Sequence, residues 1–226
     1  MQDIPSAADR FGDLTLEAFT QKLASNEPVP GGGSASAVAA ALGASLVAMV
    51  ARLSTGRPKF AEHEALLTWA IDTGERLRAR FLELADEDAA SYAAFGAAMK
   101  LPKTTDVEIA ARKTAMSDAA RVAAEIPLAC VEQCLYLVGA AEALAGRSNA
   151  NASSDLNVAA LLAEAAANGA AANVLVNLPS IDDPAYRGEL TARVDALLHD
   201  IERLATDTRQ AVGHGEPRPP LEPPEA

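Results

Sequence analysis

Three kinds of feature are scarce in this chain of 226 residues. Aromatic residues make up only 4% of it, and no segment alternates polar and apolar side chains as a half-buried strand does. No Ser-His-Asp or Cys-His arrangement is recognisable, and the histidines lack the spacing of metal ligands. We therefore expect no metal site and no sheet. The three histidines are His63, His199 and His214.

Basic residues and cysteines are also few. The chain has 19 Lys and Arg against 31 Asp and Glu, a net charge of −12, which argues against nucleic acid or an anionic membrane as a partner. Cys130 and Cys134 lie four residues apart in a helical pattern, as reduced core residues do. From the polar start Met-Gln-Asp-Ile-Pro we expect no signal peptide. These features predict a cytoplasmic protein.

Alanine is abundant instead, and small side chains let helices pack closely. Residues 35–51 carry no charge and could pass for a membrane span, but Ala, Gly and Ser dominate them, so we expect a buried central helix. The helical periodicity of the apolar residues, and the Pro and Gly residues that interrupt it, predict an all-α, up-and-down bundle of long helices. The predicted helices begin at Thr15 and cover 34–54, 61–100, 105–146 with a kink or break at Pro127, 154–178, and a last helix opened by Asp183-Pro184.

The expected organisation is one helical domain over residues 1–213, followed by a disordered Pro- and Glu-rich tail over 214–226. A forty-residue helix would be roughly 60 Å long, more than a domain of this size is wide. Either the helix breaks, or it extends into a second subunit. We favour a homodimer with ligand sites at or near its interface.

The turn Pro28-Val29-Pro30-Gly31-Gly32-Gly33-Ser34-Ala35-Ser36 brings a backbone without side chains to a helix N-terminus. Free N–H groups and the helix dipole favour negative charge there, so Gly31, Gly32, Gly33 and Ser34 are candidates for ligand binding. The simpler interpretation is a stiff loop in which Ser34 caps the helix. No Gly-Lys-Ser/Thr follows, so the turn is not a P-loop.

Polar residues stand where the helical pattern predicts apolar ones. Asp88 and Ser91 fall on the predicted core stripe of the 61–100 helix, which consists of Leu77, Phe81, Leu84, Phe95 and Met99. A carboxylate there is either a structural acceptor or an acid–base group with a raised pKa. The 154–178 helix repeats the pattern, with Asp155 and Asn173 at nearly the same angle and Asn177 one turn beyond. We expect these side chains to line one polar cavity with Asp88.

Two lysines bracket the Leu101-Pro102 turn. Lys100 and Lys103 could bind a carboxylate tail of a substrate, although most surface lysines are only solvated.

Four motifs occur in the order of a known family. They are the glycine-rich turn, Asp86-x-Asp88-Ala89 leading to Lys100-Leu101-Pro102-Lys103, the loop Asn149-x-Asn151-x-x-Ser154-Asp155, and Gly169-Ala170-x-x-Asn173-Val174-x-x-Asn177-Leu178. Over residues 12–210 the chain resembles the formiminotetrahydrofolate cyclodeaminase and methenyltetrahydrofolate cyclohydrolase family.

The resemblance implies an all-helical, dimeric enzyme that acts on one-carbon-substituted tetrahydrofolate without a tightly bound cofactor. It implies an acid or base, for which Asp88 leads and Asp155 is second. Substrate contacts are expected from the glycine-rich turn and from four amides, which would bind water or the pterin. Lys100 and Lys103 are expected to bind the glutamate tail, with Arg57 or Lys59 as alternatives. The four amides are Asn149, Asn151, Asn173 and Asn177.

Two reactions remain open at this point, hydrolysis of 5,10-methenyltetrahydrofolate and ammonia-releasing ring closure of the formimino compound. Nothing in the chain corresponds to the formiminotransferase domain that supplies the second reaction in vertebrates, so we favour hydrolysis. A folate-binding dimer without catalysis is the third alternative. A purely structural dimer is disfavoured, because an inert bundle gains little from buried acids.

Overall fold

The computed structural model describes residues 10–223, and within this range the chain is helical and contains no strand. The predicted all-α fold is confirmed. The chain forms six α-helices and four short 3₁₀ turns. The 3₁₀ turns are Phe11–Asp13, Pro58–His63, Ala150–Ala152 and Leu178–Ser180. The helices are α1 (Leu16–Leu23), α2 (Gly32–Arg52), α3 (Glu64–Met99), α4 (Asp106–Leu144), α5 (Ser153–Asn177) and α6 (Pro184–His214).

Side-chain caps fix three of the helix starts. Thr15 Oγ1 accepts the Ala18 N–H at 3.1 Å, and Asp183 Oδ1 accepts the Tyr186 N–H at 3.0 Å. At the start of α4, Thr105 and Glu108 form a reciprocal capping box. All three starts agree with the sequence prediction.

Helix α2 begins two residues earlier than expected. Its N-cap is Gly31, which has no side chain to cap with, and Gly32 and Gly33 already belong to the helix. Ser34 is completely buried in the first turn, so the interpretation of Ser34 as the cap is wrong.

The two longest helices run without interruption. Helix α3 has 36 residues, about 54 Å at 1.5 Å per residue, and begins at Glu64 because residues 58–63 form a 3₁₀ turn. Helix α4 has 39 residues and continues through Pro127, so the expected break there is wrong.

Glycines let α2 pack closely against its neighbours, as expected for a central helix. A Cβ on Gly74 of α3 would lie 2.8 Å from the Ala44 carbonyl oxygen of α2. A Cβ on Gly43 would lie 3.2 Å from the Ala159 carbonyl oxygen of α5. By length and composition alone, α2, α4 and the segment Ala150–Ser180 could cross a membrane, and 44–56% of the residues in their most apolar windows are buried inside this chain.

Helices α2 and α5 lie side by side in opposite directions. Gly32 at the start of α2 is next to Asn173 near the end of α5. At the other end of α2, the Ser54 hydroxyl accepts the Asn149 N–H at 2.8 Å, in the loop that precedes α5. The start of α2 and the start of α5 are therefore at opposite ends of the bundle.

The segment after α6 contacts the end of α4. The Arg218 N–H donates to the Gly146 carbonyl at 2.9 Å, and its guanidinium pairs with Glu142 at 2.6 Å. Arg147 Nε donates to the Pro219 carbonyl at 2.6 Å. These bonds hold residues 218–219 against the α4–α5 connection, within the tail for which composition alone predicts disorder.

Candidate active site

A cavity of about 400 Å³ lies where α2 begins and α5 ends. Its wall combines the glycine-rich turn with polar side chains from α3 and α5 and with apolar and aromatic side chains. This volume is within the usual range of small-molecule sites. The lining residues are Pro28, Val29, Gly31, Gly32, Gly33, Asp88, Ser91, Tyr92, Phe95, Ala123, Asn173, Val176, Asn177 and Ser180.

The carboxylate of Asp88 occupies the N-terminus of α2. It accepts hydrogen bonds from both the backbone N–H and the hydroxyl of Ser34, the latter at 2.9 Å. A Cβ on Gly33 would lie 2.6 Å from Cγ of Asp88, so glycine is needed there for the carboxylate to approach. The positive end of the helix therefore holds a carboxylate of this chain, where the sequence suggested a ligand anion.

Burial raises the pKa of Asp88 above its ordinary value, and the two hydrogen bonds from Ser34 only partly oppose this effect. The Ser34 hydroxyl also lies 3.0 Å from the Ala85 carbonyl oxygen, although it has a single proton to donate. When Asp88 is ionised, Ser34 can donate to it. When Asp88 is protonated, Ser34 can donate to Ala85 and accept the carboxyl proton. Either protonation state of Asp88 thus has a partner.

Asn173 and Asn177 project into the same cavity from α5, with their amides fixed by backbone carbonyls. Asn177 Nδ2 donates to Ala123 at 3.0 Å and to the Asn173 carbonyl at 2.8 Å. Asn173 Nδ2 donates to Gly169 at 2.8 Å. Asn177 is left with its Oδ1 as an acceptor, and Asn173 with its Oδ1 and one N–H. The predicted grouping of these amides with Asp88 is present in the structure.

Sequence reasoning missed Tyr92 in the cavity wall and interpreted Phe95, on the same stripe as Asp88, as a core residue. Tyr92, which is half exposed, and Phe95 follow Asp88 on α3 at the i+4 and i+7 positions. That spacing puts them on the helix face that carries the carboxylate. The sequence contained the signal for this wall, namely two aromatic residues on the same helix face as a buried acid. Such a face can bind a flat ring that carries polar groups.

The loop residues predicted for this site lie elsewhere. Asp155 and Asn173 are 18 residues apart on α5, about 27 Å at 1.5 Å per residue. Asn149 and Asn151 precede α5 at the Asp155 end, where Asn149 Oδ1 accepts the Asn151 N–H at 3.2 Å. Asn149, Asn151 and Asp155 therefore do not line the cavity that holds Asp88 of the same chain, because α5 separates them from it. Their predicted roles in catalysis and substrate binding stay predictions.

Lys100 and Lys103 are exposed and do not line the cavity. Lys100 is 12 residues beyond Asp88, about 18 Å along α3. Tyr92 and Phe95 follow one another in that direction. An elongated ligand that leaves the cavity along α3 would therefore run towards these lysines.

The cavity wall contains one acid and no Lys, Arg or His. Between residues 10 and 223, no three His, Cys, Asp or Glu side chains form a group that could hold a metal ion. The chemistry that these residues can perform is proton transfer by Asp88, beside oriented amide acceptors and an aromatic surface.

One family model matches most of the chain. Residues 15–196 match the sequence model of a family described as Formiminotransferase-cyclodeaminase. The four motifs that carry the predicted resemblance all lie within this range, so the resemblance is confirmed.

Two relatives show the range of the similarity. Methenyltetrahydrofolate cyclohydrolase of Methylorubrum extorquens is 40% identical over 193 residues, which are 85% of this chain and 93% of that protein. Formimidoyltransferase-cyclodeaminase of Rattus norvegicus is 35% identical over 193 residues, and this chain spans only 36% of its length.

A solved structure has the same fold. The crystal structure of formiminotetrahydrofolate cyclodeaminase from Thermotoga maritima superposes with a TM-score of 0.82 over 90% of this chain and 98% of that one, at 24% identity. At this identity the likeness concerns the fold.

Proposed function

The chain belongs to the formiminotransferase-cyclodeaminase family, and on that premise we propose that it is a folate-dependent enzyme of one-carbon metabolism that hydrolyses 5,10-methenyltetrahydrofolate to 10-formyltetrahydrofolate. The single observation that carries the assignment of chemistry is the position of Asp88, a half-buried carboxylate with a raised pKa in the cavity wall. The relative named a cyclohydrolase supports this choice of reaction, because it matches the chain over nearly its whole length.

The reaction needs one proton taken from water and one given to nitrogen. Ionised Asp88 removes a proton from the water that attacks the methenyl carbon between N5 and N10. The resulting tetrahedral adduct opens by breaking the bond from this carbon to N5, and Asp88 returns its proton to N5. The formyl group stays on N10, and the second proton of the water is released to solvent. A carboxyl group with a raised pKa is suited to both transfers.

The surrounding residues hold the reactants. The free Oδ1 atoms of Asn173 and Asn177 can accept hydrogen bonds from the water or from N–H groups of the pterin. Tyr92 and Phe95 provide a flat surface for the ring, and Lys100 and Lys103 attract the glutamate tail. Neither proton transfer requires a metal or a tightly bound cofactor.

Ammonia-releasing ring closure is the second candidate. The relative from Rattus norvegicus carries cyclodeaminase in its name, at 35% identity. This reaction joins N10 to the formimino carbon and expels ammonia at the same centre, so Asp88 could serve it with the same two proton transfers.

We propose a folate as the small-molecule substrate and a second copy of this chain as the protein partner. Neither nucleic acid nor a membrane is expected to take part. The net charge of −12 supports the last point. The buried, unpaired thiols of Cys130 and Cys134 fit a reducing compartment, so we place the enzyme in the cytoplasm.

The test is the absorbance of 5,10-methenyltetrahydrofolate with wild-type protein, Asp88→Asn and Asp86→Asn. We expect rapid loss of the methenyl band with wild type and a loss of turnover of about 10²–10⁴-fold in Asp88→Asn. Asp86 is the matched control, because it lies on another side of α3 and accepts the Phe11 N–H at 2.8 Å.

Three other results are informative. Growth of the methenyl band from the formimino compound, with ammonia released, would assign the cyclodeaminase reaction. Near-full turnover in a folded Asp88→Asn would remove Asp88 from the mechanism. Folate binding without turnover of either compound would leave a binding protein.

A further inference from the structure

The two amides of α5 that line the cavity differ in what they can offer to a ligand. Asn177 Nδ2 donates to the Ala123 carbonyl at 3.0 Å and to the Asn173 carbonyl at 2.8 Å, so both of its hydrogens are used. Turning the amide over would bring Oδ1 against these two carbonyl oxygens, which repel it. The two bonds therefore lock the orientation of Asn177, and the only group left for a ligand is Oδ1, a pure acceptor.

Asn173 is not restricted in this way. Its Nδ2 donates one hydrogen bond, to the Gly169 carbonyl at 2.8 Å, and keeps a second hydrogen. Asn173 can therefore either donate to a ligand or accept from it, whereas Asn177 can only accept. A ligand group that pairs with Asn177 must bring a hydrogen of its own.

The Oδ1 atom of Asn177 is open to the cavity. Between residues 10 and 223, the side-chain nitrogen and oxygen atoms that are sealed from solvent without a partner are His63 Nδ1 and Asn157 Oδ1. Asn177 Oδ1 accepts no hydrogen bond from this part of the chain and is not among the sealed atoms, so it is accessible. Since Asn177 lines the cavity, the accessible space beside Oδ1 is the cavity.

Few side chains of the cavity wall share this restriction to accepting. The wall contains no Lys, Arg or His, and its hydroxyl groups can each donate a hydrogen bond or accept one, as Asn173 can. Two side chains can only accept, namely Asn177 and the ionised form of Asp88. Because the proposed reaction uses Asp88 on the water and on N5, Asn177 is the acceptor that remains for recognition of the ring. The hydroxyl groups belong to Ser91, Tyr92 and Ser180.

We propose, building on the function proposed above, that Asn177 determines the specificity of the cavity for the pterin by accepting a hydrogen bond from N3–H. The 4-oxo ring of a folate carries a hydrogen on N3. A 4-amino ring of the same shape carries a lone pair on N3, which would face the lone pairs of Oδ1.

The lock on Asn177 is what makes this contact selective. An amide that is free to turn over would meet the 4-amino ring with its N–H groups, as Asn173 still can. A fixed acceptor cannot adapt, so the 4-amino ring leaves it unpaired and is rejected. The orientation is also set before the ligand arrives, so binding the 4-oxo ring spends no free energy on ordering this amide.

The test compares the binding of tetrahydrofolate and 4-amino-4-deoxytetrahydrofolate by calorimetry, with wild-type protein and Asn177→Ser. We expect wild type to bind the 4-oxo compound at least about 10-fold more tightly. Asn177→Ser removes Oδ1, while the serine hydroxyl can still donate to the Asn173 carbonyl one turn earlier. In this variant the two dissociation constants should lie within about 3-fold of each other.

Asn168→Ser is the matched control on the same helix. Asn168 is exposed, and its Nδ2 donates to the Glu164 carbonyl at 2.8 Å, four residues earlier. The preference for the 4-oxo ring should be unchanged in this variant. Circular dichroism and thermal unfolding of all three proteins separate a folding defect from a loss of specificity. The wild-type preference tests the proposal even if Asn177→Ser does not fold.

Equal binding of the two compounds by wild type would overturn the proposal, and so would an unchanged preference in Asn177→Ser. A preference that is lost in Asp88→Asn and kept in Asn177→Ser would assign N3–H to Asp88 and overturn it as well. Turnover of 5,10-methenyltetrahydrofolate without a preference between the two rings would overturn this proposal alone. Binding of neither compound by wild type would overturn the proposed function, and this inference with it.

Discussion

At the scale of single residues, the site depends on one contact between two helices. Ser34 is buried at the start of α2 and binds the carboxylate of Asp88 on α3 with both its hydroxyl and its N–H. These bonds favour the ionised form of Asp88, while burial favours the protonated form and has the larger effect.

Ser34→Ala should move the acid limb of the kcat/KM profile to higher pH. Removing the hydroxyl withdraws a bond that stabilises the carboxylate, so the pKa of Asp88 rises further and a higher pH is needed to ionise the base. The measurement is kcat/KM against pH for both proteins.

Ser91→Ala is the control for this shift, because Ser91 Oγ donates to the backbone carbonyl of Asp88 and not to its carboxylate. Its acid limb should stay in place. A limb that moves to lower pH in Ser34→Ala would contradict the assignment of Asp88 as the titrating base.

At the scale of helices, the position of α2 depends on glycines that allow close approach. Gly74 of α3 has the Ala44 carbonyl oxygen and the Ala48 side chain within 3 Å of the place where a Cβ would be. Backbone and methyl groups of a packed helix cannot move aside easily.

Gly74→Ala is therefore expected to destabilise the fold by about 1–3 kcal/mol through overpacking. The midpoint of thermal unfolding should fall by about 2–4 °C for each kcal/mol. Gly139→Ala in α4 is the matched control, since a Cβ there meets nothing within 4 Å and should stabilise the helix by about 0.5–1 kcal/mol. Equal midpoints of thermal unfolding for the two variants would show that α2 and α3 can move apart without a loss of stability.

Helix bounds were largely predictable, because local signals set them. Thr105 with Glu108, and Asp183 with Pro184, mark helix starts wherever the chain is folded. The start of α2 was not predictable in this way. Whether Ser34 caps the helix or enters it depends on Asp88, which is 54 residues away and provides the cap from another helix.

The site was predictable only as far as helix geometry extends. The angular positions of Asp88, Asn173 and Asn177 placed them in one cavity, since each is fixed by the face of a single helix. Asp155 does not line this cavity in its own chain, and the sequence contains the reason, because 18 residues of α5 separate it from Asn173. Which ends of different helices meet depends on how the helices pack, and the angular position of a residue on a single helix does not give this.

At the scale of the whole molecule, the segment after α6 connects to the distant end of α4. Arg218 donates to the carbonyls of Glu142 and Ala145 at 3.0 and 3.3 Å, and so caps the negative end of α4. Pro- and Glu-rich composition cannot reveal such contacts, because they depend on where α6 ends.

Arg218→Ala should lower the free energy of unfolding by about 1–2 kcal/mol, through loss of hydrogen bonds to a carboxylate and to helix-end carbonyls. The measurement is denaturant unfolding monitored by circular dichroism. Arg203→Ala is the control, since the ion pairs of Arg203, at 3.5–3.6 Å, lie on the surface of α6. Exposed ion pairs typically contribute less than about 1 kcal/mol to the free energy of unfolding. An unchanged free energy of unfolding in Arg218→Ala would mean that the tail is not held at α4 in solution. The tail would then be disordered, as its composition predicts.

The lone carboxylate in the cavity wall also bears on turnover. The methenyl ring of the proposed substrate is a cation, whereas the formyl product has no charge at that position. An ionised Asp88, with no cation beside it in the wall, attracts the substrate ring and loses that attraction once water has added. Hydrolysis thereby weakens the binding of its own product, so the site discriminates between the two folates by charge and promotes product release.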